Sequence, residues 1–232
     1  MKLKKPVVDY RELRLSNINE PRFRHILLLW NWIVYLLLYI LTERFIPEER
    51  CALVHCRLDD LIPFNEYFSI AYCFWYALLF FSLLYFFLYD IRRFSELEIY
   101  IIVTQIVAMV CYILFPSRQD LRPDSFVRDN FFTHLMAFIY SVDTSTGVCP
   151  SLHVAYSLGI ASVWCKMKDV SKQFKAFVVV AVILICMSVC FVKQHSAVDV
   201  LAALPVCLLA EIITYAKSYW APKLRAARSA GR

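Results

Sequence analysis

Two histidines fall where apolar runs meet polar ends, one in Cys149-Pro150-Ser151-Leu152-His153 and the other in Lys193-Gln194-His195-Ser196-Ala197-Val198-Asp199. His195 and Asp199 are spaced i, i+4, so a helix beginning near Gln194 stacks them on one face. The carboxylate then accepts from one ring nitrogen, fixes the tautomer and leaves the other nitrogen free to attack. His153, at the start of a second helix, is the candidate to protonate a leaving alkoxide. Pro150 suits the first turn of that helix and Ser151 its cap. The unpaired N–H groups and positive dipole end there suit an oxyanion. Arg122, with Arg118 and Lys193, would add full charges, so Arg122, Ser151, Lys193 and Arg118 are the phosphate-binding candidates. The chemistry this set suits is phosphoryl transfer, with kcat/KM expected to be bell-shaped because one imidazole must be neutral and the other protonated.

Composition sets the elements that hold these residues. With 60% hydrophobic residues, 16% aromatic and three glycines in 232, the chain is too apolar for a soluble domain. A spanning helix needs about 20 mostly apolar residues, and such runs lie near 24–42, 66–89, 97–115, 151–167, 174–192 and 196–216. The expected fold is an all-α integral membrane bundle of six transmembrane helices. The fourth run opens with Ser151 and His153, and the sixth carries Asp199 near its start and Glu211 near its end. Polar residues at such ends reach the headgroups.

Lysines and arginines orient the bundle. Of the 25, 18 fall in the leader 1–24, the turns 90–96 and 166–175, and the tail from 217. The remainder, Arg44, Arg50, Arg57, Arg118, Arg122, Arg128 and Lys193, lie on the other side. Positive-inside bias therefore puts both termini in the cytoplasm. The expected organisation is a basic cytoplasmic leader 1–23, a six-helix catalytic domain 24–216 and a basic cytoplasmic tail 217–232. The first apolar run ends in Thr42-Glu43-Arg44 without a small-residue cleavage pattern, so the leader is expected to be retained. The net charge of +6 concentrates where helices meet anionic headgroups, which argues against a nucleic-acid partner. The compact chain and short turns point to a bacterial-type inner membrane.

The two long connections, 43–65 and 116–150, both face outward. Loops of that length tend to carry function. In the first, Leu58-Asp59-Asp60-Leu61-Ile62-Pro63-Phe64 reads as a short interfacial helix or a simple turn. Cys51 and Cys56 share that loop, where an oxidising compartment would allow a disulfide. Cys73, Cys111, Cys165, Cys186, Cys190 and Cys207 fall inside the apolar runs and fill space. Topology then brings Arg118, Arg122, His153, Lys193, His195 and Asp199 to the same outer end of the bundle.

The three motifs together resemble the type-2 phosphatidic acid phosphatase superfamily. Pro150-Ser151-Leu152-His153 is similar to its P-S-x-H motif, His195 with Asp199 to the H-x-x-x-D half of its last motif, and Arg122-Pro123 to the R-P closing its first. The resemblance implies that His195 is the nucleophile and forms a phosphohistidine, that Asp199 orients it, and that His153 protonates the leaving group. It also implies that Arg122 binds phosphate and that no metal or cofactor is needed. The chain departs from the pattern at two cations. Phe115 stands where the family has a lysine, and Ser188-Val189 stands where it has Ser-Arg. A degenerate last motif that keeps H-x-x-x-D is more similar to the branch containing inositol phosphorylceramide and sphingomyelin synthases, which pass a phospho-headgroup to an alcohol.

Taken singly, each residue has a structural reading. An interfacial histidine is usually hydrogen-bonded or snorkelling, and Arg122, Arg118 and Lys193 are ordinary headgroup anchors. His25, His55 and His134 read as structural or interfacial, and Asp143 as a solvated turn residue, with contact to the site the lesser alternative. The aromatic residues of the second run read as lipid-facing surface and packing. Glu211 lies about 18 Å along the helix from Asp199 at 1.5 Å per residue, too far for the outer site.

Three functions remain open on these residues. One is a metal-independent lipid phosphatase or phosphotransferase acting on a membrane lipid phosphate. The second is a metalloenzyme using His153, His195 and Asp199, disfavoured by the arginine beside them. The third is a non-catalytic protein that binds or transports lipid phosphates.

Overall fold

In hydrocarbon a backbone has no hydrogen-bond partner but itself, so long apolar runs fold as helices. The computed structural model describes residues 5–230 and is all-helical, with 73% helix and 2% strand. Its main helices are α1 (Trp30–Phe45), α2 (Arg57–Leu61), α3 (Ser69–Tyr89), α4 (Ile91–Leu114), α5 (Phe131–Val142), α6 (Leu152–Lys166), α7 (Lys172–Phe191), α8 (Ala197–Tyr215) and α9 (Ala221–Ala230). The first four residues of the expected leader and Gly231 and Arg232 of the expected tail lie outside the described residues.

Five helical stretches are long and apolar enough to cross a membrane: Arg24–Phe45, Glu66–Tyr89, Ile91–Leu114, Lys172–Phe191 and Ala197–Ala226. The fourth expected span is different. As α6 it has 15 residues, about 22 Å at 1.5 Å per residue, against a hydrocarbon core of about 30 Å. Its polar start is taken up by the cap at Ser151, which shortens the helical part of the run.

What α6 lacks in length it makes up in burial. It packs against α4, α7 and α8, with Val154, Ala155, Tyr156, Ile160 and Val163 in the core. Gly159 lets α4 approach, since a Cβ there would meet Tyr100 Cδ1 at 2.6 Å. Small residues at helix contacts serve this purpose in membranes. At the end of the bundle remote from the histidines, Lys166 Nζ pairs with Glu211 Oε1 at 2.6 Å, which places Glu211 away from the outer site.

The two long loops are laced together. Strand β1 (Ala52–Leu53) pairs in parallel with β2 (Ser117–Arg118), and Arg118 bridges to Thr146. The segment 116–150 also holds α5, which the sequence reading leaves as loop. Asn130 caps α5 by accepting from Phe132 N–H and Thr133 N–H. Of the Leu58–Phe64 segment, the part through Leu61 is helical within α2, with Asp59 buried and Leu58 and Leu61 exposed. Cys51 and Cys56 are free thiols. His25 sits among Tyr10, Phe87 and Phe94, a packing position.

The turn from α7 into α8 sets the site. Lys193 has φ 53, its N–H donates to the Cys190 carbonyl, and Gln194 N–H donates to the Val189 carbonyl. This is a Schellman stop with lysine in the position that favours glycine. A left-handed conformation costs an L-residue about 1–2 kcal/mol. Lys193 Nζ offsets it by donating to the carbonyls of Asp59 at 2.7 Å and Ile62 at 2.6 Å.

Candidate active site

Ser151 ends the outer loop and caps α6, its hydroxyl accepting from Val154 N–H at 3.5 Å and leaving His153 in the first turn. Pro150 precedes the cap instead of opening the helix as expected, because Ser151 is itself the extended residue, at φ −70 and ψ 117. The Ser151 N–H donates to the Asp199 carbonyl at 3.1 Å, which ties the start of α6 to the first turn of α8. Ser196 caps α8, and Asp199 Oδ2 completes the capping box by accepting from Ser196 N–H at 3.0 Å.

That same oxygen lies 3.1 Å from His195 Nδ1. A carboxylate only accepts, so Nδ1 carries the proton and Nε2 the lone pair. His195 Nε2 in turn lies 3.4 Å from His153 Nδ1. His153 is wedged against aromatic rings, with Trp75 at 4.3 Å and Tyr72 at 4.9 Å between centroids. Its Nε2 is buried without a hydrogen-bond partner.

Both imidazoles line a cavity of about 410 Å³. Its walls are Trp32, Tyr35 and Tyr39 of α1, Trp75 and Tyr76 of α3, Tyr112 of α4 and Tyr156 of α6, with Asp143, Thr144 and Gln194 as polar lining. Trp75 and Tyr76 of the second run also line this cavity. Trp75 is buried against His153, while Tyr76, more than half exposed, stands at the edge of the cavity.

The expected cations are placed otherwise. Among the described residues no lysine or arginine lines the cavity. Arg118 Nη1 is on Asp120 at 2.6 Å and near Glu48 at 3.8 Å, drawn off by acids of the outer loops. Lys193 is spent on the α2 carbonyls, and Ser151 is fully buried as a cap. Arg122 comes closer. Its Nη1 donates to the carbonyls of Asp143 at 2.9 Å and Tyr140 at 3.3 Å, and its Nη2 to the Thr144 carbonyl and Gln194 Oε1, both at 2.7 Å. The guanidinium lies 4.7 Å over the Tyr140 ring, and its Nε has no partner. It clamps the 140–144 segment to the residue preceding His195.

Gln194 is a polar residue that sequence reasoning left out, and Asp143 is one that it read first as a solvated turn. Gln194 Nε2 donates to Asp143 Oδ2 at 3.1 Å, so Asp143 is a cavity residue and not the solvated turn expected. Burial pushes its carboxyl up from the ordinary value, against the pull of the Arg122 guanidinium. The one signal in the sequence is the adjacency of Gln194 to His195. Asp143 carries none, because its place depends on the Arg122 clamp. The family cations also stay missing, since Phe115 is 74% exposed and Val189 is buried in the core. Asp199 reaches His195 from behind, on Nδ1, and among the described residues no group of three metal-binding side chains is placed to hold an ion.

No family model, curated protein or solved structure matches this chain.

Proposed function

We propose that this chain is an integral membrane enzyme that cleaves a phosphomonoester or pyrophosphate on a lipid through a phosphohistidine on His195. The observation that carries the reading is the line Asp199 Oδ2, His195, His153, with spacings of 3.1 and 3.4 Å at a shared cavity. The His195 Nε2 lone pair attacks phosphorus as the bond to the lipid oxygen breaks, and His153 gives that oxygen its proton. Water then takes the phosphoryl group, its proton passes to His153, and Nε2 is released. A phosphorus bonding to Nε2 must displace the His153 ring from that nitrogen. The N-terminal dipoles of α6 and α8, with Arg122 behind Gln194, oppose the charge that builds on the phosphoryl oxygens.

We assign the chain, on P-S-x-H, H-x-x-x-D and R-P, to the divergent branch of the type-2 phosphatidic acid phosphatase superfamily. In this reading α6 is a fourth crossing that begins below the outer surface. Irregular backbone is tolerated at that depth where protein or a cavity covers it. The bundle then has six passes, both termini in the cytoplasm and the site on the outer face, in a bacterial-type inner membrane.

One observation favours a second reading, transfer of a phospho-headgroup to an alcohol. Among the described residues the cavity is lined by Asp143 and by no lysine or arginine. A dianionic phosphomonoester is repelled there more than a monoanionic diester. The deciding experiment supplies purified protein, in chelator, with lipid phosphomonoesters and with phosphodiester lipids plus an alcohol acceptor, alongside His195→Ala. Phosphate release abolished by the substitution supports hydrolysis, and headgroup transfer abolished by it supports the second reading. Turnover of neither class, with lipid binding retained, overturns both.

A further inference from the structure

The outer helix α2 is tied to the first turn of α8 more closely than a loop helix requires. Asp59, 3% exposed, accepts from Ala197 N–H with Oδ1 at 2.8 Å. Its Oδ2 accepts from the Ser196 hydroxyl at 2.6 Å and from Cys56 N–H at 2.8 Å. Lys193 holds the other end of α2, and Asn65 N–H donates to the Phe191 carbonyl at 3.0 Å. Residues 56–65 thus grip the hinge 191–197 from both sides.

The first turn of a helix has N–H groups without internal partners. In α8 three acceptors share them. Asp199 Oδ2 takes Ser196 N–H, Asp59 Oδ1 takes Ala197 N–H, and Ser196 Oγ takes Val198 N–H at 3.1 Å. Because Asp59 satisfies Ala197, Asp199 is left to serve Ser196 and His195. Without Asp59, the buried Ala197 N–H needs an acceptor, and Asp199 Oδ1, which has only the Cys149 thiol beside it among the described residues, accepts from no N–H. A carboxylate that turns towards Ala197 leaves the His195 ring. Burial pushes the Asp59 carboxyl up, but the hydrogen bonds from Ser196, Ala197 and Cys56 outweigh it and hold the group below its ordinary value.

We propose that Asp59 is a positioning residue for His195, a second carboxylate cap brought from the outer loop that fixes the first turn of α8 and keeps Asp199 on the imidazole. The role in turnover rests on the reading of His195 as nucleophile, whereas the effect on the ring does not.

The test compares the full chain in detergent with Asp59→Asn and, as a milder change, Ser196→Ala. An asparagine amide opposes the donors of Ser196 or Ala197, so the grip loosens with little change of volume. The readouts are the melting temperature, kcat and KM on the lipid the wild type turns over, and the ¹⁵N signals of the His195 ring, assigned with His195→Gln. In Asp59→Asn the ring should pass from the single Nδ1–H tautomer to a mixture, and kcat should fall about tenfold with KM held within about twofold. Ser196→Ala should shift the same signals less. Unchanged ring signals in both variants, or an intact ring with kcat and melting temperature lost together, overturn the proposal. If Asp59→Asn does not fold, Ser196→Ala decides by the same signals. A wild type that turns over no lipid defeats the phosphoryl reading alone, and the ring signals still decide the role of Asp59.

Discussion

The backbone N–H of Ser151 donates to the backbone carbonyl of Asp199, joining the two motif helices at the residues that flank the histidines. This bond does not involve the Asp199 side chain, so the carboxylate can be altered without parting α6 from α8. Asp199→Asn should then lower kcat by about a thousandfold through loss of the fixed tautomer, as seen where the orienting carboxylate of a catalytic histidine is neutralised. The check is steady-state kinetics with a melting curve. A loss below tenfold at unchanged melting temperature counts against Asp199 as the orienting group.

Asp143 should make binding of an anionic substrate depend on pH. Its carboxyl is raised by burial, so it is neutral at low pH and becomes a charge in the cavity as pH rises through the raised value. Asp143→Asn removes that charge while its amide oxygen still accepts from Gln194. KM of the variant should match wild type at low pH, where the group is neutral, and fall about threefold to tenfold below it as pH rises through the raised value. The folded state should gain stability in the same direction, because the raised group opposes folding once it ionises. KM ratios measured across pH decide this, and a ratio that does not change with pH would falsify it.

Arg122 holds three backbone carbonyls and Gln194 through a forked geometry. Lysine has no such fork. Arg122→Lys leaves part-buried carbonyls unmatched and should cost about 1–3 kcal/mol. The clamp should loosen at 140–144 before the bundle melts. Hydrogen exchange would show this as faster exchange confined to the end of α5 and the segment after it.

Gly159→Ala should lower the melting temperature, since the new Cβ meets Tyr100 Cδ1 at 2.6 Å and Cε1 at 2.8 Å. Overpacking of this kind costs about 1–3 kcal/mol. Tyr100→Leu in the same chain should recover part of the loss. Independent, additive effects of the two substitutions would show that the contact is not the cause.

Much of the bundle is legible in order of residues alone. Apolar runs of span length mark α1, α3, α4, α7 and α8, since length and hydropathy are local properties. The i, i+4 spacing of His195 and Asp199 and the cap at Ser151 are local too, and each sets its geometry within one turn of helix. The bounds of α6 were legible as well, since the run 151–167 and the helix Leu152–Lys166 differ by one residue at each end, but its burial against α4, α7 and α8 was not.

What tertiary structure alone decided is which charges meet which acceptors. The sequence offers Arg122, and behind it Arg118 and Lys193, as phosphate-binding cations at one end of the bundle. The fold sends Arg118 to Asp120, Lys193 to the α2 carbonyls and Arg122 to the 140–144 carbonyls. It likewise brings Asp59 to α8 and Asp143 to the cavity across long separations. Spacing along a chain fixes neighbours on a helix, but a loop residue finds its partner only when the helices beneath it have packed. The nucleophile candidate could therefore be read from one motif, while the residues that hold it in place could not.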